Sequence, residues 1–168
     1  MPTEKILDKA LELAFKSNTE FTDWFLERTK FAGRGGAYYW SRSNNPWGHH
    51  PHDVPDGLTG KVRTEWVESE TDVLVVFHAR DAAPFALHIE NKLADGTFMP
   101  DQPERYHSRA RFWLNNPKYG PYADFQTVIV APKIFLNRCA IDVQKFDLQV
   151  SHEEIARYVP EFGVSSYL

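Results

Sequence analysis

Two short segments of the chain collect residue types suited to phosphate chemistry. Glu70-Thr71-Asp72 leads into an apolar run over 73–76, and Ile89-Glu90-Asn91-Lys92 follows, with Glu90 eighteen positions after Asp72. Residues i and i+2 of a strand point to one side, so an extended segment puts Glu90 and Lys92 on the same face. If the strand opened by Asp72 is the hairpin partner of that segment, the Asp72 carboxylate reaches the same place. Two carboxylates and a lysine at the end of a buried sheet form a hard-oxygen site. Mg²⁺ suits such a site, because it takes one or two carboxylates and fills its shell with water and phosphate oxygens; Mn²⁺ is the alternative ion. The cation polarises a phosphate and acidifies water, while a lysine alongside orients that water or offsets charge on the phosphate oxygens. The Asn91 carbonyl, at the strand edge, is a further candidate ligand. Glu-x-Lys alone is far more often a surface ion pair or a solvated strand end, and the upstream aspartate at the mouth of a buried strand makes the combination informative.

These residues need elements to hold them. Apolar residues at Leu7, Ala10, Leu11, Ala14 and Phe15 predict a helix over 4–16 with one buried face. Ser17 with Glu20 has the spacing of a capping box opening a second helix. Gly33, Gly35 and Gly36 end that helix and release a strand over 37–40. The segment 43–60, rich in Asn, Pro, Gly and His, reads as a long functional or mobile loop. Strands are expected over 61–67, 73–77, 85–89 and 125–131, with a turn over 81–84 and an edge strand over 146–150. A helix is expected over 101–116, with Pro103 in its first turn, and a short helical turn over 132–136. Ser151 and Glu154 form a second capping box, opening a closing helix through Tyr158. The order implies a single α/β domain over 1–168 with a mixed sheet, not a regular Rossmann alternation.

With 168 residues, 42% of them hydrophobic and 25% charged, the chain suits one ordinary globular domain. No apolar stretch approaches the roughly 18 residues of a membrane helix, and the N-terminus lacks a signal-peptide layout. The lone Cys139 excludes an intrachain disulfide and a cysteine-based zinc site, and fits a cytoplasmic setting. A net charge of −4 argues mildly against a strong non-specific grip on nucleic acid, although a local basic stripe or homo-oligomerisation can supply one.

The segments Glu70-Thr71-Asp72, Ile89-Glu90-Asn91-Lys92, Gln102-Pro103-Glu104-Arg105-Tyr106, Val128-Ile129-Val130-Ala131-Pro132 and Val150-Ser151-His152-Glu153-Glu154-Ile155 together resemble the PD-(D/E)xK nuclease superfamily. The likeness is to bacterial members with an ETD…IENK…QxERY pattern. It covers most of 4–158, least well over 33–60. The resemblance implies a restriction-endonuclease-like α-β-β-β-α-β core, Asp72 and Glu90 as metal ligands and Lys92 as the catalytic lysine. Thr71 stands where the family name has proline, a position that shapes backbone and supplies no ligand. Superfamily members often add a carboxylate from the first helix; Glu4, at the flank of the apolar face, is the first candidate, and Glu12, on the expected solvent side, the second. Gln102, Tyr106 and Arg109 share a helix face, flanked by Arg105. That stripe would contact substrate phosphates or, on the plainer reading, pack on the sheet and face solvent.

Three other features are weighed against simpler readings. His49, His50, His52 and Asp53 suggest zinc, but neighbouring histidines do not readily converge on one ion. Trp40 and Trp47 could stack on bases or anchor a loop. His78 and His88 read as core or strand-surface residues. The leading expectation is a Mg²⁺-dependent nuclease acting on nucleic acid, DNA before RNA. The alternative is a non-catalytic nucleic-acid-binding or protein-interaction module on the same fold. Hydrolysis of another phosphate ester is disfavoured, because Gly33-Arg34-Gly35-Gly36 ends a helix instead of opening one.

Overall fold

The apolar stripe near the N-terminus becomes helix α1 (Glu4–Ser17), capped by Thr3 and burying Leu7, Asp8, Leu11, Ala14 and Phe15. The computed structural model describes residues 2–80 and 82–163. Helix α2 (Thr19–Leu26) follows after one residue, and its cap is Asn18, which accepts from the Phe21 amide at 3.0 Å. The cap therefore lies one residue after the expected Ser17, and with Phe21 at the third helical position it is not a reciprocal capping box. Helix α1 runs on through Ser17, whose hydroxyl donates to the Leu13 carbonyl, and the chain breaks at extended Asn18.

A mixed five-stranded sheet has the order β1 (Ala37–Arg42), β4 (Val73–His78), β5 (Phe85–Asn91), β6 (Asp124–Ala131), β7 (Leu148–Ser151). Strands β1, β4 and β5 are antiparallel neighbours, whereas β5–β6 and β6–β7 are parallel. Every residue of β5 is buried, as a central strand covered on both faces requires. Alternate residues divide the core. Val73, Val75, Phe77, Phe85, Leu87 and Ile89 pack under α1 and α2, while Leu74, Val76 and Ala86 meet Ala110 and Trp113 from helix α3 (Gln102–Phe112) and the turn after it. Asp81, expected in the turn between β4 and β5, lies outside the described residues.

The expected loop over 43–60 is corrected. Trp47–Pro55 (β2) pairs with Val62–Glu70 (β3) in a two-stranded antiparallel ribbon, in register from Trp47 opposite Glu70 to Pro55 opposite Val62. Alternation is present, but the buried positions are Gly48, His50 and His52 in place of aliphatic residues. Pro51 and Pro55 are tolerated because both strands of a two-stranded ribbon are edges. His50 and His52 lie on the buried side and His49 on the other, so the three rings do not converge on an ion.

Helix α3 is shorter than expected and gives way to a turn with Asn115 in the left-handed region. After β6 come α4 (Lys133–Arg138) and a short α5 (Ala140–Val143) that the sequence pattern does not announce. The Ser151 capping box is present with both reciprocal bonds, but the helix it opens, α6 (His152–Ile155), is one turn long. Pro160 starts a 3₁₀ turn over Pro160–Gly163 and precludes a longer helix. No helix among the described residues is long and apolar enough to cross a membrane.

The Ser151 cap ties α6 to the body of the fold. Burial opposes the charge of Glu154, but Arg28 at 2.7 Å and the Ser151 amide and hydroxyl hold its carboxyl down at about 2. The folded value lies below the ordinary 4.5, so this contribution is complete above 4.5 and is lost as pH falls towards 2. Ser151→Ala is expected to lower the unfolding free energy by about 1 kcal/mol in urea denaturation at pH 7. In Glu154→Gln the loss of stability on acidification below pH 4.5 should be shallower than in wild type.

Candidate active site

Strand register places the acidic pair. Val73 faces Ile89 across the β4–β5 ladder, so Asp72, one residue earlier, stands opposite Glu90, one residue later. The Asp72 carboxylate accepts the Asn91 backbone N–H at 2.8 Å and the Asn45 side-chain amide at 3.1 Å. Asn45 adopts a left-handed conformation (φ 52°), which turns the segment between β1 and β2 back over the strand end. Glu90 is 2% exposed and its Oε1 accepts from Lys92 Nζ and Gln102 Nε2, both at 2.7 Å. Asp72, Glu90, Lys92 and Gln102 are therefore assembled at one end of the sheet.

A third carboxylate joins them that the sequence reading passes over. Asp8 is 1% exposed on the buried face of α1 and accepts from the Asn91 side-chain amide at 2.9 Å. The Asn91 oxygen pairs in turn with His152 Nε2 at 2.9 Å. Asp8 lies between the two residues considered from this helix. Glu4, one turn before it, is half-buried and contributes negative charge at both Asp8 and Lys92. Glu12, one turn after it, is not on the solvent side as expected. It accepts from Ser41 at 2.5 Å and from Ser43, and pairs with Lys16, because the end of β1 folds over α1. The signal for Asp8 is a carboxylate inside an apolar stripe, three residues before Leu11 and seven before Phe15.

The electrostatics are unbalanced towards negative charge. Burial, followed by the charges of Glu90 and Asp8, pushes the Asp72 carboxyl well above the usual range, against the Asn91 N–H and Lys92. Burial raises Asp8 to about 7, opposed by the Asn91 amide and reinforced by Glu4, Glu90 and Glu70. Burial works against the charge of Lys92, but Glu90, Asp72 and Glu4 outweigh it and raise the ammonium. Asp72 and Glu90 are the side chains that could hold a hard cation here. As the side chains stand, no group of three or more His, Cys, Asp or Glu among the described residues converges as a metal cage.

The helix face of Gln102, Tyr106 and Arg109 exists, but it is turned inward. Tyr106 and Arg109 are each 1% exposed. The Tyr106 hydroxyl accepts from the Asp72 amide at 3.1 Å and donates to the Ile89 carbonyl, bracing the strand ends beneath the carboxylates. Arg109 donates from Nε to Thr71 Oγ1 at 2.9 Å and from Nη1 to Ser69 Oγ at 2.6 Å. The proton directions follow. Tyr122 donates to the Ala110 carbonyl, so His88 Nε2 donates to Tyr122 and His88 Nδ1 accepts from Thr71. His50 Nδ1 donates to the Pro51 carbonyl and its Nε2 accepts from Ser69. Both imidazoles are neutral, in keeping with burial and the Arg109 charge, which depress His88 far below its ordinary range and His50 to about 4. Thr71 thus does more than shape backbone: its hydroxyl links Arg109 to His88, and its N–H donates to the Pro46 carbonyl. Proline could do neither.

Beside this network, Glu70, Gln102, Arg105, Tyr106 and Arg109 line a cavity of about 180 Å³. Arg105 Nε and Arg109 Nη2 are buried with no hydrogen-bond partner among the described residues. His78 is exposed and lies against Tyr39, and the indole of Trp47 is 55% exposed at the start of β2. No family model, no curated protein and no solved structure matches the chain. The chemistry of the site therefore rests on these residues and their geometry.

A raised carboxyl contributes stability that is complete at low pH and lost as pH rises through its folded value. Asp72→Asn is therefore expected to raise the urea midpoint of the metal-free protein at pH 8, with the gain shrinking towards pH 5. Equal midpoints at pH 8 in EDTA would contradict the repulsion described here.

Proposed function

We propose that the chain is a Mg²⁺-dependent nuclease of the PD-(D/E)xK kind, hydrolysing phosphodiester bonds of DNA. The observation that carries this reading is Asp72 opposite Glu90 at the strand end that also bears Lys92, with too little positive charge to balance them. The element order supports it as well. With α2 and the β2–β3 ribbon set aside as additions, α1, β1, β4, β5, α3 and β6 follow the α-β-β-β-α-β order of the restriction-endonuclease-like core.

The donor set fits Mg²⁺, since Asp72 and Glu90 offer hard oxygens and substrate phosphate and water complete the shell. The Asn91 carbonyl is a further candidate ligand, and Asp8 and Glu4 add negative charge from α1. The chemistry Mg²⁺ supplies when bound is polarisation of the scissile phosphate and a more acidic water. Lys92, kept protonated by its carboxylate neighbours, orients the attacking water or offsets charge on the phosphate oxygens. Gln102 fixes the Glu90 carboxylate and Tyr106 fixes the Asp72 backbone. The unpartnered donors of Arg105 and Arg109 offer an adjoining phosphate its hydrogen bonds.

One observation favours a second reading, a non-catalytic binding module. Lys92 is spent in an ion pair with Glu90, an arrangement that needs no cation. Cleavage of single- and double-stranded DNA and RNA in Mg²⁺, Mn²⁺ or EDTA separates the two. Lys92→Ala is expected to fold as wild type and to lose cleavage by about 100-fold or more. Mg²⁺ should raise the melting temperature of wild type but not of Asp72→Asn. Binding of nucleic acid without cleavage in either ion would establish the module instead.

A further inference from the structure

Next to the acidic site lies a second cavity, of about 320 Å³, lined by Trp40, Arg42, Asn45, Trp47, Lys118 and Tyr119. Its size falls within the range of small-ligand sites. The cavity is built from three parts of the chain. Trp40 comes from β1, where its indole covers Gly120; a Cβ at that glycine would come within 2.8 Å of the ring. Trp47 opens β2, and its carbonyl accepts the Tyr119 hydroxyl at 3.1 Å. Tyr119 stacks on buried Trp113 with ring centroids 3.7 Å apart, so the wall is rigid. Gly48 allows this close approach, since a Cβ there would lie 2.5 Å from the Tyr119 hydroxyl.

The chemistry of the lining is mixed. Trp47 presents an aromatic surface to solvent. Arg42 lies over Trp40 and Lys118 over Tyr119, and no ion pair among the described residues includes either cation. Asn45 joins the cavity to the acidic site, because the amide that borders it also donates to Asp72 and Glu70. Glu70 in turn borders the smaller cavity that holds Arg105 and Arg109. Hydrogen bonds of Asn45 thus tie the border of the aromatic cavity to Asp72 and to Glu70, which lines the smaller one.

Resting on the nuclease reading, we infer that this cavity is a nucleotide subsite holding one unpaired base of single-stranded DNA beside the cleaved bond. The base stacks on Trp47, and Arg42 and Lys118 take the adjacent phosphates. An exposed indole stacks on any base whose face is free, whereas bases in an intact duplex are already stacked on one another. Two cations that line the same cavity and belong to no ion pair among the described residues supply the backbone contact that single-strand binding needs. The chain is acidic overall, so its nucleic-acid affinity must come from such local groups.

The test is fluorescence anisotropy of a labelled oligo(dT) and of a blunt duplex of equal length, in EDTA so that neither is cleaved. Wild type is expected to bind the single strand more tightly than the duplex. Trp47→Ala should weaken single-strand binding by about tenfold or more, with Trp47→Phe restoring most of it. Arg42→Ala combined with Lys118→Ala should flatten the salt dependence of binding. A Trp47→Ala protein that binds like wild type, or wild type that prefers duplex, overturns the subsite even if the enzyme cleaves. Trp47-dependent binding in a protein that cleaves with neither Mg²⁺ nor Mn²⁺ leaves the subsite standing and removes the nuclease.

Discussion

The arrangement depends on one hydrogen bond at the end of a ladder, from the Asn91 amide to the Asp72 carboxylate. Just beyond the paired region of β4 and β5, the side chain of Asp72 takes the place of a strand partner and caps the free N–H of Asn91. That contact holds a carboxylate against the backbone between Glu90 and Lys92. Asp8 and His152 reach the same asparagine through its side chain, so α1, β4, β5 and α6 meet at Asn91. The negative charge collected there is not neutralised by the protein's own cations. Burial and mutual repulsion raise the Asp72 and Asp8 carboxyls, and carrying their charge weakens the fold.

A second constraint lies on the opposite face of the sheet. Arg109 is a fully buried cation with no ion-pair partner among the described residues, and its fork is satisfied in part by the Ser69 and Thr71 hydroxyls. Burial of a charge without such bonds is costly. The hydroxyls accept from Arg109, so their own protons point onward to His50 and His88, and the chain of donors has one direction from the guanidinium outward. This network connects α3, the β2–β3 ribbon and β4, and it fixes the ribbon over the helix. The ribbon then positions Asn45 and Trp47 at the edge of the acidic site.

Much of this was legible in the residues. Continuous apolar runs located β4, β5 and β6, because strands covered on both faces carry no polar alternation. Once those strands were placed, Asp72, Glu90 and Lys92 could only lie at one sheet end. The β2–β3 ribbon was not legible, since its buried positions are Gly48, His50 and His52, and their burial depends on α3 and Arg109, far away in sequence. Asp8 was missed for a related reason. A helical pattern marks it as buried, but only the tertiary position of Asn91 explains why a carboxylate belongs there. Glu12 was misplaced because a helical wheel cannot show that the end of β1 folds across it.

The directed network around Arg109 also bears on how such a chain can change over generations. Each hydroxyl in it both accepts and donates, so its members are interlocked by proton count as well as by shape. Replacing Thr71 by proline would strand the Arg109 Nε proton and the His88 Nδ1 lone pair in a dry interior. The same would follow at Ser69 for Nη1 and His50. Positions 50, 69, 71, 88 and 109 are thus free to drift only as a set, and a lineage that lost the guanidinium would have to redesign both histidine environments in step. The Thr71 hydroxyl, shared between Arg109 and His88, is the visible mark of that interdependence.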